Sequence, residues 1–231
     1  MINKAFKDNL VNGETLKTFL GIKKLLKRNS NARKKILSQD QFNRLLNHLP
    51  YHSKGILMTA FYTGMRFGEI RSLTWDKISL EKRLIELEAR DTKDKEARTI
   101  PICEELYGFL KRLPRSLHNP HFFLYKGKPV KDIRTGLIEA CKLGEIPYGR
   151  FVKDGFIFHD LRHTFNTFMR KAGIAQSVIM EITGHASSEM FDRYNTVDLD
   201  DKKQAIKQFE GFLRNLSESV DQNVDQTHFL R

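Results

Sequence analysis

The chain has 231 residues, enough for one good-sized domain and a short extra segment, so a second full domain is not expected. Lysine and arginine number 40 against 28 acidic residues, a formal charge of +12 that points towards a polyanionic partner, most often nucleic acid. Only two cysteines, Cys103 and Cys141, no secretory leader and no bilayer-length apolar run exclude a disulfide framework, a cysteine-rich zinc cluster and a membrane protein, and a cytoplasmic location is expected.

Residues 1–37 are polar and basic and read as a short helix followed by a flexible positive linker. Lys23, Lys24, Lys27, Arg28, Arg33, Lys34 and Lys35 in this arm are candidate DNA contacts, although a merely solvated arm has the same composition. Ser38 and Gln41 have capping-box spacing, and Phe42, Leu45, Leu46 and Leu49 follow at helical intervals, so a globular domain is expected from residue 38. Pro50 ends that helix; Ile56, Leu57, Ala60 and Phe61 mark the next, which stops at Thr63-Gly64. Arg66 to Leu73 is helical again. After Trp75 the period changes: Leu84, Ile85 and Leu87, then Ala97 to Ile102, predict two strands joined across the charged tip D-T-K-D-K-E.

Helices are expected at Glu104–Leu113, at Ile133–Leu143 before Gly144, and from Asp160 to a C-cap at Gly173, with short ones near Gln176–Ile182 and Ser188–Tyr194. The last, Asp200–Leu216, carries Ile206, Phe209, Leu213 and Leu216 on one stripe, and residues 217–231 form a polar tail. The fold class expected is mainly α with a small antiparallel β-hairpin or sheet, an α+β domain over residues 38–216.

Several side chains suit phosphodiester chemistry. Attack on a phosphodiester concentrates charge on the equatorial oxygens, and a guanidinium offers them a permanently charged planar fork of donors. Arg66 follows the Gly64 turn, and Glu69 three residues later can hold its guanidinium; a surface Arg–Glu pair is the plainer reading. In H-D-L-R-H-T-F, His159 and Arg162 share one helix face. His159 and His163 imitate a metal-binding pair, but Asp160 stands where a zinc-protease motif needs Glu and Arg162 intrudes among the ligands, so no metal is expected. Lys93 at the charged tip can act as a general acid, with Lys95 a competitor for that role. His185 and Tyr194 are joined by G-H-x8-Y, and the tyrosine needs a base or a positive field to become a nucleophile.

The stretches T-G-M-R-F-G-E-I-R-S-L-T-W, T-K-D-K-E-A-R-T-I-P-I, H-D-L-R-H-T-F-N-T-F-M-R-K-A-G-I and T-G-H-A-S-S-E-M-F-D-R-Y resemble those of the tyrosine recombinase, or phage integrase, family. The resemblance implies the catalytic-domain fold of that family over residues 38–216, and site-specific DNA cleavage and rejoining through a 3′-phosphotyrosyl link, without metal or other cofactor. It implies that Arg66 and Arg162 clamp the scissile phosphate, Glu69 supports the first, and Lys93 protonates the leaving 5′-oxygen. It further implies that His159 takes the tyrosine proton, His185 donates a hydrogen bond to the phosphate, and Tyr194 attacks. Double-stranded DNA is the implied partner, with a homotetramer on DNA docked through the C-terminal helix, in integration, excision or resolution. Type IB topoisomerase-like relaxation and non-catalytic DNA binding on the same fold are the alternatives. The family's helical core-binding domain has room here only within residues 1–37, so a reduced arm, or a catalytic fragment with a remnant of that domain, is expected.

Overall fold

A computed structural model describes residues 2–21, 33, 35–184, 202–203 and 206–211, which divide into two units, Met1–Arg33 and Lys34–Arg231. The first holds α1 (Ile2–Lys7) and α2 (Gly13–Gly21), neither of which buries a residue. Two helices here correct the single one expected. Asn9 takes a left-handed φ of 55° after α1, and Asn12 caps α2, its Oδ1 accepting from Thr15 N at 2.8 Å. Asparagine favours both conformations because its short amide bonds to nearby backbone. Lys23, Lys24, Lys27, Arg28 and Lys34 lie outside the described residues.

In the second unit the chain enters the core at Leu37, fully buried, whose N–H donates to Thr164 Oγ1 at 2.9 Å. α3 (Gln39–His48) starts at the Ser38 cap, with the Ser38–Gln41 capping box formed in both directions. Its Phe42 stacks on Phe61 of α4 (Tyr51–Thr63), ring centroids 3.7 Å apart. α4 is the central helix. Its small and apolar residues are buried on nearly every side, and the hydroxyls of Thr59 and Thr63 bond back to carbonyls one turn earlier, which lets polar side chains sit in the interior. It ends at Gly64, left-handed at φ 66°, where an added Cβ would stand 2.7 Å from the Phe165 ring. Only glycine satisfies both the turn and that contact. The chain is thereby redirected into the short α5 (Phe67–Arg71).

A three-stranded antiparallel sheet follows, in the order β1 (Ile78–Ser79), β2 (Leu84–Leu87), β3 (Arg98–Pro101), and a second hairpin pairs β4 (Leu124–Tyr125) with β5 (Lys128–Pro129). The β2–β3 pair agrees with the sequence reading; β1 and the second hairpin extend it. Two-residue strands are too short to display an alternating pattern. The β2–β3 connection is also longer than a hairpin tip, since a 3-10 turn over Ala89–Asp91 is inserted in it. α6 (Glu104–Leu110), α7 (Arg134–Leu143), α8 (Asp160–Lys171) and α9 (Gln176–Thr183) fall where the periodicity places them. Residues 206–211 are helical, with Ile206 and Phe209 more than half exposed, while Leu213, Leu216 and the short helix expected near Ser188 lie outside the described residues. Among the described residues no helix is long and apolar enough to cross a membrane.

Candidate active site

Arg66 is the N-cap of α5 and is locked by its own helix. Glu69 Oε2 accepts from Arg66 N at 2.9 Å, while Oε1 accepts from Arg66 Nη1 at 3.0 Å. Glu69 thus holds both the backbone and the guanidinium of Arg66, and its carboxylate is 4 % exposed, so its side of the pair is poorly screened. The free edge of the guanidinium turns towards the end of α9: Nη2 donates to Gly184 O at 3.3 Å and to Asp94 Oδ2 at 2.7 Å.

Arg162, three residues into α8, reaches the same carbonyl. Its Nη1 donates to Gly64 O at 2.8 Å and its Nη2 to Gly184 O at 3.4 Å. Gly64 and Gly184 are the left-handed caps that close α4 and α9, so the carbonyl-rich ends of two helices face one guanidinium. Those partial charges balance a cation with almost no access to water. Burial, followed by repulsion from Arg66, lowers its pKa to about 9, which leaves it protonated at neutral pH. Among the described residues its hydrogen-bond partners are carbonyls and not carboxylates, so its charge remains available to an incoming anion.

A third arginine, buried like Arg162, joins the cluster. Arg98 Nη2 donates to Glu69 Oε2 at 2.7 Å, making Glu69 the bridge between two guanidiniums. The same side chain lies under the α9 cap, where a Cβ on Gly184 would stand 2.6 Å from Arg98 Nη1. Sequence reasoning missed Arg98, yet its signal was strand parity: it stands two residues before Ile100 and four before Ile102, on the inward face of β3. Arg98→Met removes the charged donor to Glu69 Oε2, leaving that buried oxygen only the Arg66 N–H, and is expected to cost on the order of 1–3 kcal/mol. Urea denaturation measures it, and stability unchanged within about 0.5 kcal/mol would contradict the bridging role.

Lys93 and Lys95 are both exposed, one on each side of Asp94 in a turn closed by Thr92, whose Oγ1 donates to Glu96 O and accepts from Glu96 N, each at 3.0 Å. The turn delivers the Asp94 carboxylate to Arg66 and so brings both lysines to the rim of the cluster. The geometry does not separate them.

His159 is the N-cap of α8, and its ring meets His163 edge-on with centroids 4.9 Å apart. Burial first, then the charge of Arg162, lowers its pKa from the ordinary 6.5; Asp160 opposes this, while Arg66 and Arg150 add to it. The imidazole is neutral at pH 7. Between its folded value and 6.5 the unfolded chain binds the extra proton. The stabilisation is thus complete above 6.5 and is lost as the pH falls below it. Urea unfolding of wild type and His159→Gln should therefore converge as the pH drops from 7 to 5, with the wild type losing more, and parallel curves would contradict this. Comparison with the variant removes the parallel contribution of His52, which burial also lowers.

Arg66 and Arg162 thus converge on Gly184, the residue immediately before His185, with Glu69 holding Arg66 and His159 within electrostatic reach of both arginines. His185 and Tyr194 themselves lie outside the described residues. Among the described residues no group of three or more His, Cys, Asp or Glu side chains is arranged to hold a metal ion.

Residues 35–200 match the model of the phage integrase family. The chain is 26% identical over 171 residues to the integrase of Salmonella phage P22, covering 71% of this chain and 44% of that one. It is 29% identical over 180 residues to the tyrosine recombinase XerA of Pyrococcus furiosus, covering 75% and 61%. The chain spans about half the length of the curated relatives it matches. In three dimensions it superimposes on the catalytic domain of bacteriophage HP1 integrase with a TM-score of 0.58 and 27% identity, covering 76% of this chain and 95% of that domain.

Proposed function

The chain belongs to the phage integrase family, and from that premise we propose that it is a tyrosine-type site-specific recombinase that cleaves and rejoins double-stranded DNA. The observation that carries this reading is the convergence of Arg66 and Arg162 on the Gly184 carbonyl, beside a neutral His159 and directly before His185. Two permanently charged forks fixed before the substrate arrives stabilise the charge that develops on phosphate without reorganising during the reaction. An entering phosphate takes the edge of Arg66 now held by Asp94.

In this reading the Tyr194 oxygen attacks phosphorus and its proton passes to His159. The P–O5′ bond breaks, and the 5′-oxygen takes a proton from Lys93, or from Lys95 on the other side of Asp94. His185 donates to a non-bridging oxygen. The phosphotyrosyl bond replaces the phosphodiester bond one for one, so attack by a 5′-hydroxyl reverses the step. Residues 38–216 form the catalytic domain and residues 1–37 a basic arm. The exposed Ile206 and Phe209 support docking of the last helix on a second copy, in a tetramer assembled on DNA.

Incubating the protein with a library of nicked duplexes in EDTA, where a cleaved strand diffuses away and traps the intermediate, tests this. Protein-linked DNA on a denaturing gel is the expected result, and its absence across the library would overturn the reading.

A further inference from the structure

We propose that the loop at residues 147–156 is a finger that contacts duplex DNA, with Phe151 at its tip; the inference rests on the recombinase reading above. Phe151 is 97 % exposed, a costly position for an aromatic ring, and the residues on either side of it and the next one along are Arg150, Val152 and Lys153.

The loop is built, not slack. Phe156 N donates to Pro147 O at 2.7 Å, Gly149 N to Phe156 O at 2.9 Å, and Gly155 N to Val152 O at 2.9 Å. Its two sides touch backbone to backbone, since a Cβ on Gly155 would stand 2.2 Å from Gly149 O, a separation open only to glycine. Val152 lies against both glycines and stays half-exposed, so the apolar surface at the tip is Phe151 with Val152 beside it, and Phe151 is the more exposed of the two.

The finger stands beside the candidate site. Tyr148 at its base lines a groove of about 570 Å³ together with Arg71, Lys131, Arg134 and His159. The charge of Arg150 is among those that lower the His159 pKa, which places it within electrostatic reach of that ring. Charge selects the occupant. Arg71, Lys131 and Arg134 in the groove and Arg150 and Lys153 on the finger outnumber Asp132 and Asp154, so this face disfavours the same face of another copy and attracts a phosphate backbone. Duplex DNA offers both phosphates for the cations and sugar and base surface for an aromatic ring.

Fluorescence anisotropy with a labelled duplex of mixed sequence tests the proposal. Phe151→Ala is expected to bind about tenfold more weakly, from the lost ring contact. Its slope of log affinity against log salt should match wild type, while Lys153→Ala flattens that slope by about 1. Phe151→Trp should restore affinity. Because the ring touches so little protein, all three variants should melt with the wild type. Affinity of Phe151→Ala within about twofold of wild type would overturn the finger. So would a loss confined to self-association, measured by sedimentation, which would make Phe151 a contact between copies. A wild-type protein that fails to bind duplex at all would instead reject the recombinase reading.

Discussion

Arg162→Ala is expected to slow DNA cleavage by about 10²–10³-fold, equivalent to some 3–4 kcal/mol of transition-state stabilisation. The size follows from burial and from how the side chain is held. A guanidinium 3 % exposed, fixed by the end carbonyls of two helices, keeps its orientation when substrate binds and acts where water screens little. Arg162→Lys should recover only a small part of the loss. A single ammonium keeps the charge but cannot bridge Gly64 and Gly184 and still present a second donor to phosphate. Loss of the guanidinium also takes the Arg162 donor from the buried Gly64 carbonyl, while Gly184 O keeps Arg66, so stability should fall by about 1–3 kcal/mol, and rates must be compared under conditions where the variants remain folded. Single-turnover cleavage of a trapped nicked duplex measures the effect. A rate within about threefold of wild type would show that Arg162 is a structural arginine that leaves the transition state untouched.

The readable and unreadable parts of this chain divide along physical lines. Signals local in sequence carried through: the Ser38–Gln41 box, the Gly64 stop, and the Arg66–Glu69 pair at i, i+3 all form as their spacing implies. Each depends on backbone geometry within one or two turns, which sequence encodes directly. What was not legible is contact made across the fold. Arg98 is 29 residues from Glu69, and no local rule selects it over the other arginines until the inward face of β3 is known. Asp94 has no individual signal within the charged tip D-T-K-D-K-E, yet it is the carboxylate that holds the open edge of Arg66. The shared role of Gly64 and Gly184 was hidden for a different reason. Their carbonyls do the work, and backbone acceptors carry no residue-type signature. The second hairpin escaped because two-residue strands leave no pattern.

The second large effect belongs to Tyr194. Tyr194→Phe removes only the phenolic oxygen, so duplex binding should persist while protein-linked DNA falls below detection. Loss of a nucleophile has no partial substitute among the remaining groups: Arg66 and Arg162 are acceptor-free cations, and His159 is assigned to the proton. A free tyrosine has a pKa near 10, so the positive field of the clustered arginines matters to its reactivity. The same logic says that removing Arg66 or Arg162 should shift the cleavage optimum to higher pH as well as slow the reaction.

Mass-spectrometric mapping of the DNA-linked peptide tests the central claim most directly. Wild-type protein trapped on a nicked duplex, digested with trypsin and stripped to a residual nucleotide, should carry the adduct on the peptide 194–202, at its tyrosine. An adduct on any other residue, or one that survives Tyr194→Phe at wild-type yield, would contradict it.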